Sequence, residues 1–157
     1  MKKIVLVFTL ISLSVTAFVP ERSPYMPVFM SRETLEQSVR YLPGDRALLE
    51  TGKIYYHSPY IFVNERYKGV HIINNTHPAH PVHEGFVLAP GCMDMAVKGN
   101  ILYLDNAVDL VSFDLNSKQV TKRIVGVFPE PLPPDDQFFY YPYSHPKGYI
   151  LVGWKKN

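Results

Sequence analysis

A strand-rich unit occurs twice in this chain at a spacing of 40 residues, once from Gly52 to about Leu88 and again from Cys92 to about Phe128. Sliding one copy onto the other without gaps sets Ile61-Phe62-Val63 on Ile101-Leu102-Tyr103, Glu65 on Asp105, Val70 on Leu110 and Ile73-Asn74 on Phe113-Asp114. The identities are few; the match is in residue class. A period of roughly 40–45 residues with about four short strands suits one blade of a β-propeller, a small antiparallel sheet that buries its faces only against neighbouring blades. The expected fold is therefore mainly β, with about two antiparallel propeller-like blades (51–90 and 91–128) behind one short helix. A complete propeller needs at least about four such blades, so two make a partial one.

The N-terminus reads as an export signal. Met1-Lys2-Lys3 and the apolar run from Ile4 to Phe18 have the basic start and short hydrophobic stretch of a secretory signal peptide, with small residues in Val15-Thr16-Ala17 for cleavage. Thr9, Ser12, Ser14 and Thr16 interrupt the run and Pro20 follows it, which disfavours a span of about 20 apolar residues. The expectation is cleavage after residue 17, export to the periplasm or cell surface, and no stable membrane span thereafter; an uncleaved anchor is the alternative. No cysteine stands near the cleavage point to be acylated.

Removing Lys2 and Lys3 takes the 16 Lys and Arg to 14, against 14 Asp and Glu. A balanced chain without a basic block lacks the field that drives nucleic-acid binding, so nucleic acid is excluded as a partner. Cys92 is the only cysteine, so no intramolecular disulfide can form and stability must come from an apolar core.

Residues 18–30 hold three prolines without periodicity and read as an extended linker. In segment 31–50, Ser31 offers an N-cap and Leu35, Val39 and Leu42 an apolar stripe before Pro43-Gly44, which predicts a helix over 32–41. From Gly52 the grammar is that of strands. Lys53–His57, Tyr60–Asn64, Val70–Asn74 and Val82–Leu88 make the first unit, and Met93–Val97, Ile101–Asp105, Val108–Asp114 and Gln119–Val127 the second. In segment 129–157 the repeat stops. It opens with Pro129-Glu130-Pro131-Leu132-Pro133-Pro134, continues through an aromatic stretch, and ends in a strand over Gly148–Trp154 with no partner after it.

Two segments resemble the LVIVD-repeat family of exported bacterial proteins built of propeller-like repeats: the run from Tyr60 to Asn75, and Asp94 to Asp105 with Val108 to Asp114. In that family an apolar strand closes on an Asp before a loop of the type Asp-Pro-x-x-Pro-Val. Here Asn74 takes the place of the acid and His77-Pro78-Ala79-His80-Pro81-Val82 fills the loop, whereas the second unit keeps Asp114 and replaces the loop with Asn116-Ser117-Lys118-Gln119. The resemblance covers roughly residues 50–128. It implies an exported repeat protein, shortened or a fragment, with no catalytic motif to carry over.

Several residue groups could hold chemistry. His77, His80 and His83, with His71 nearby, suggest metal ligands, but Pro78 and Pro81 forbid the helix that would align them and the plainer reading is loop histidines. Cys92, with no adjacent cation, reads as a small buried apolar residue. Glu65, Arg66, Asp94, Asp105 and Asp109 fall at strand ends, where carboxylates either cap turns or serve as acid and base. Phe138-Phe139-Tyr140-Tyr141-Pro142-Tyr143 offers either a stacking platform for sugar or a cover for an open sheet. No catalytic residue, metal ligand or cofactor is assigned. The reading is an exported, non-catalytic binding or assembly module for protein or glycan, prone to self-association through open strand edges; the alternative is an extracellular hydrolase or metal-binding protein with its site in the blade loops.

Overall fold

The computed structural model describes residues 24–135 and 145–156; the expected signal peptide and the aromatic cluster from Phe138 to Tyr143 lie outside the described residues. Within them, three antiparallel sheets and one helical turn make a mainly β fold. The first sheet runs in the order β2 (Arg40–Pro43), β6 (Val82–Leu88), β5 (Gly69–Asn74), β4 (Tyr60–Glu65), β3 (Thr51–His57). The second runs β10 (Gln119–Ile124), β9 (Asp109–Asp114), β8 (Ile101–Asn106), β7 (Met95–Lys98). A third pairs β1 (Tyr25–Ser31) with β11 (Tyr149–Lys156), and α1 spans Arg32–Glu36.

Each sequence unit thus forms one four-stranded meander, β3 to β6 and β7 to β10, and β2 adds a fifth strand to the first. The pairing corrects the gapless match by one residue. Ile73 and Phe113 are 40 apart, but their partners are Ile61 and Leu102, 41 apart. The cause is the hairpin: Arg66-Tyr67-Lys68 link β4 to β5, whereas Ala107-Val108 suffice between β8 and β9. Glu65 therefore corresponds to Asn106, and Asp105 stands one place earlier on the opposite face.

The core lies between the two meanders. Phe62, Val70, Ile72 and Val87 of the first face Leu102, Leu104, Val111 and Phe113 of the second, all essentially without exposed surface. β8 and β9 alternate buried with half-exposed side chains, as strands covered on one face do. β5 is buried on both faces: Val70 and Ile72 point to the core, and His71 points the other way yet is also fully buried. The segment between β2 and β3 covers that outer face, with the Arg46 guanidinium 4.7 Å from the centre of the Phe86 ring.

Two sequence expectations change here. The linker over 18–30 becomes strand from Tyr25 onward, because β11 supplies the partner that the sequence order concealed; Pro27 is tolerated in a strand with one open edge. The same pairing gives the last strand its neighbour. The helix stops at Glu36 instead of reaching residue 41, since β2 pairs with β6 and Tyr41 donates to the Glu84 carbonyl at 2.9 Å. Its capping is as expected, with Ser31 Oγ accepting from the Thr34 amide at 3.2 Å. The Leu35 and Glu36 carbonyls that a longer helix would use accept from Arg123 Nη2, each at 3.3 Å.

Gly91 joins the units where the chain passes the second hairpin. Its φ is +83°, and a Cβ there would sit 2.7 Å from the Ala107 backbone. Gly91→Ala is expected to destabilise by more than about 1 kcal/mol, read from the urea midpoint at unchanged m-value. Gly44→Ala has a similar φ of +93° but open space around it, and should cost clearly less. Equal losses would mean that crowding at Ala107 contributes nothing.

Candidate functional site

A cavity of about 750 Å³ opens on the outer face of the second sheet. Its floor comes from Ala96, Tyr103 and Leu110, which alternate along their strands with core-facing residues. Its roof is the segment from Phe128 to Pro134. Prolines hold this strap extended, and two side chains hold it in place: Tyr67 Oη donates to the Leu132 carbonyl at 3.0 Å and Trp154 Nε1 to the Pro131 carbonyl at 2.8 Å. Pro131 and Pro133 are buried as a result. The volume is in the range of small-molecule sites, and the walls are mostly apolar with polar groups at the margin.

Those polar groups are Arg66, Asp94, Asp105 and Glu130. Asp105 Oδ1 accepts from the Met93 and Asp94 amides at 2.8 and 2.9 Å, but burial dominates and pushes its carboxyl above the usual range. Asp94 goes the other way. Against the upward push of burial, hydrogen bonds from Lys53 Nζ and the Met95 amide, both 2.6 Å, hold it low.

Glu65 and Asp109 belong elsewhere, so the acids singled out in the sequence do not converge. Asp109 is fully buried between Arg32 Nη1 at 2.6 Å and Arg123 Nη1 at 2.7 Å, and it accepts from the Gly126 amide at 3.1 Å. These bonds outweigh burial and lower its carboxyl. Arg123 also donates to Asn106 Oδ1 at 2.8 Å, so one guanidinium ties β9, β8 and α1 together. That is a structural joint.

Glu65 heads a row of polar side chains across the outer face of the first sheet. Its Oε1 accepts from Lys68 Nζ at 2.8 Å and its Oε2 lies 3.0 Å from His71 Nε2; His71 Nδ1 is 2.8 Å from His83 Nε2, and His83 Nδ1 is 3.1 Å from the Gly44 carbonyl. Burial pushes the Glu65 carboxyl up, but the bonds from Lys68 and His71 prevail and hold it low. Burial pulls His71 down against the neighbouring carboxylate.

The histidine trio is accordingly divided. His83 lies on β6 against His71, while His77 and His80 are exposed on the connecting loop, joined by a backbone bond from the His80 amide to the His77 carbonyl at 2.8 Å. Among the described residues, no group of three or more His, Cys, Asp or Glu could hold a metal ion. Cys92 is fully buried, accepts from Asn64 Nδ2 at 3.3 Å, and has its thiol pushed well up by burial. The aromatic platform lies outside the described residues. What the sequence did not show was the cavity, whose floor and roof are separated along the chain; its one local signal was the proline run at 129–134. No protein-family model, no curated protein and no solved structure matches this chain.

Proposed function

We propose that the chain is an exported, non-catalytic binding or assembly module built of two blade-like repeats, a partial propeller, and that it takes a protein segment or glycan in the cavity under the strap. The observation that carries this reading is the cavity itself: an apolar recess of about 750 Å³ on an outer sheet face, roofed by chain that is anchored at Leu132 and Pro131. The resemblance to LVIVD repeats agrees with it. Among the described residues no helix is long and apolar enough to cross a membrane.

Titration with a panel of extracellular glycans and peptides should give a saturable rise in Tm with at least one ligand, since binding to the native state stabilises by mass action. Leu110→Asp, which sets a charge on the cavity floor, should abolish that rise while leaving the Tm of the free protein within a few degrees. A response that survives in Leu110→Asp would place the ligand elsewhere and sink the proposal.

The hydrolase reading has one observation in its favour. Asp94 and Asp105 line the same cavity with carboxyls displaced in opposite directions, the arrangement of a general base beside a general acid. Release of reducing ends from a glycan, lost in Asp105→Asn, would establish it over binding alone.

Self-association is also expected. β3 is an edge strand of the first sheet and exposes Ile54 (67 %) and Tyr56 (62 %), an open template for a second chain. Light scattering coupled to size exclusion should show mass above the monomer that falls in Ile54→Lys. A sharp wild-type monomer would remove this part of the proposal.

A further inference from the structure

We infer that the ligand of the cavity has two ends, an apolar body that lies against the second sheet and an anionic head that is held at a cationic mouth beside Arg66. This rests on reading the cavity as the binding site. A second concavity of about 500 Å³ adjoins it, and the two share Arg66, Tyr67 and Pro134 in their walls. The two recesses meet along Arg66, Tyr67 and Pro134, one under the strap and the other at the ends of β1 and β11.

The two parts differ in chemistry. Under the strap the surface is mainly apolar, with Met93, Met95, Ala96, Tyr103, Leu110 and Phe128, and its carboxylates are Asp94, Asp105 and Glu130. Beyond Tyr67 the charged wall residues are Arg66, Lys68, Lys155 and Lys156 against Glu50 alone. Lys68 is taken by Glu65 at 2.8 Å. Arg66, Lys155 and Lys156 form no ion pair among the described residues and are exposed, so three cations stand at one end of an apolar trough. Like charges brought together raise one another's energy, and an anion seated between them relieves that repulsion. An apolar protein segment that ends in a carboxylate satisfies both halves, and an alkyl carboxylate is its simplest probe; a neutral sugar or a cationic segment satisfies one at most.

Trp154 reports on the site without a label. It is the sole tryptophan, lines the second concavity and donates to the strap at Pro131. Decanoate, 1-decanol and acetate, each below its solubility limit, are titrated into the full chain and followed by Trp154 fluorescence. Decanoate is expected to bind saturably, decanol more weakly by about tenfold, which is what three exposed ion pairs are worth together, and acetate not measurably. The variant carrying Arg66→Ala, Lys155→Ala and Lys156→Ala should fold as the parent does and bind decanoate no better than decanol. Raising the salt concentration should weaken decanoate and leave decanol unchanged.

Equal binding of decanoate and decanol by the wild type, with both lost in Leu110→Asp, would overturn the anionic head and leave the cavity reading intact. Binding of neither, or binding indifferent to Leu110→Asp, would overturn the two-ended ligand, and the cavity reading would then stand or fall with the Tm response to the peptide and glycan panel.

Discussion

Glu65→Ala is expected to unfold at a clearly lower urea concentration than the wild type, a loss of about 1–3 kcal/mol, because it leaves the buried His71 Nε2–H without its acceptor on a face closed to water. Glu65 and His71 are both fully buried, whereas Lys68 and Arg46, the other ionic neighbours of the carboxylate, are 39 % and 41 % exposed and can turn to solvent when it goes. His71 cannot. Lys68→Ala serves as the control and should cost no more than about 1 kcal/mol, as a half-exposed pair does. Equal losses in the two variants would show that the carboxylate stabilises the fold through Lys68 and that the histidine row contributes nothing.

The same row sets a pH dependence with a definite sign. The folded Glu65 carboxyl lies below its unfolded value of about 4.3, so its contribution is present above that pH and is lost as the pH falls through the folded value. The folded His71 ring lies below its unfolded value of about 6.5; on acidification the unfolded chain takes up the proton first, and stability falls from there downward. Both groups act in one direction. Unfolding free energy should decline from about pH 7 to pH 4, and His71→Phe should flatten the upper part of that decline. A wild type that gains stability between pH 7 and pH 5 would contradict the placement of a neutral His71 against Glu65.

Asp109→Ala should be more damaging, at about 3–5 kcal/mol, since it leaves the charged Arg32 and Arg123 guanidinium groups facing each other without their shared anion. The effect should spread beyond β9. Arg32 begins α1, and Arg123 caps the end of α1 through the Leu35 and Glu36 carbonyls, so loosening either arginine frees the turn that packs Leu35 on Ala107 and Val152. Amide hydrogen exchange over residues 25–36 and 149–156 should rise in Asp109→Ala while the core of β8 stays protected. Uniform acceleration across all strands would mean that Asp109 supports the whole fold and is no local joint.

The meanders were legible in the sequence because strand length, alternation and the turn residues around Ser58-Pro59 and Gly99-Asn100 are local signals. The one-residue slip between Glu65 and Asp105 was not, since it depends on three hairpin residues against two and leaves residue classes in apparent agreement. β1 was hidden by its prolines and by a partner near the other end of the chain. Likewise His83 looked like a member of an evenly spaced trio, yet its contact with His71 is a cross-strand neighbour relation that spacing along the chain does not encode. The cavity needs Tyr103 and Pro131 brought together through Trp154, and no pattern in the linear sequence marks that.

The pairing of β1 with β11 has a temporal consequence. Tyr25 stands opposite Lys156 in the register, so β1 is made long before its partner. Both meanders can form before that sheet exists, because each is closed by short hairpins, whereas the third sheet must wait for β11 and join segments of very large sequence separation. During that interval β1 is an unpaired strand, and Pro131 and the strap lack the hydrogen bond from Trp154. Completion of the cavity therefore waits for β11, which brings Trp154 to the Pro131 carbonyl and so fixes the strap over the outer face of the second sheet.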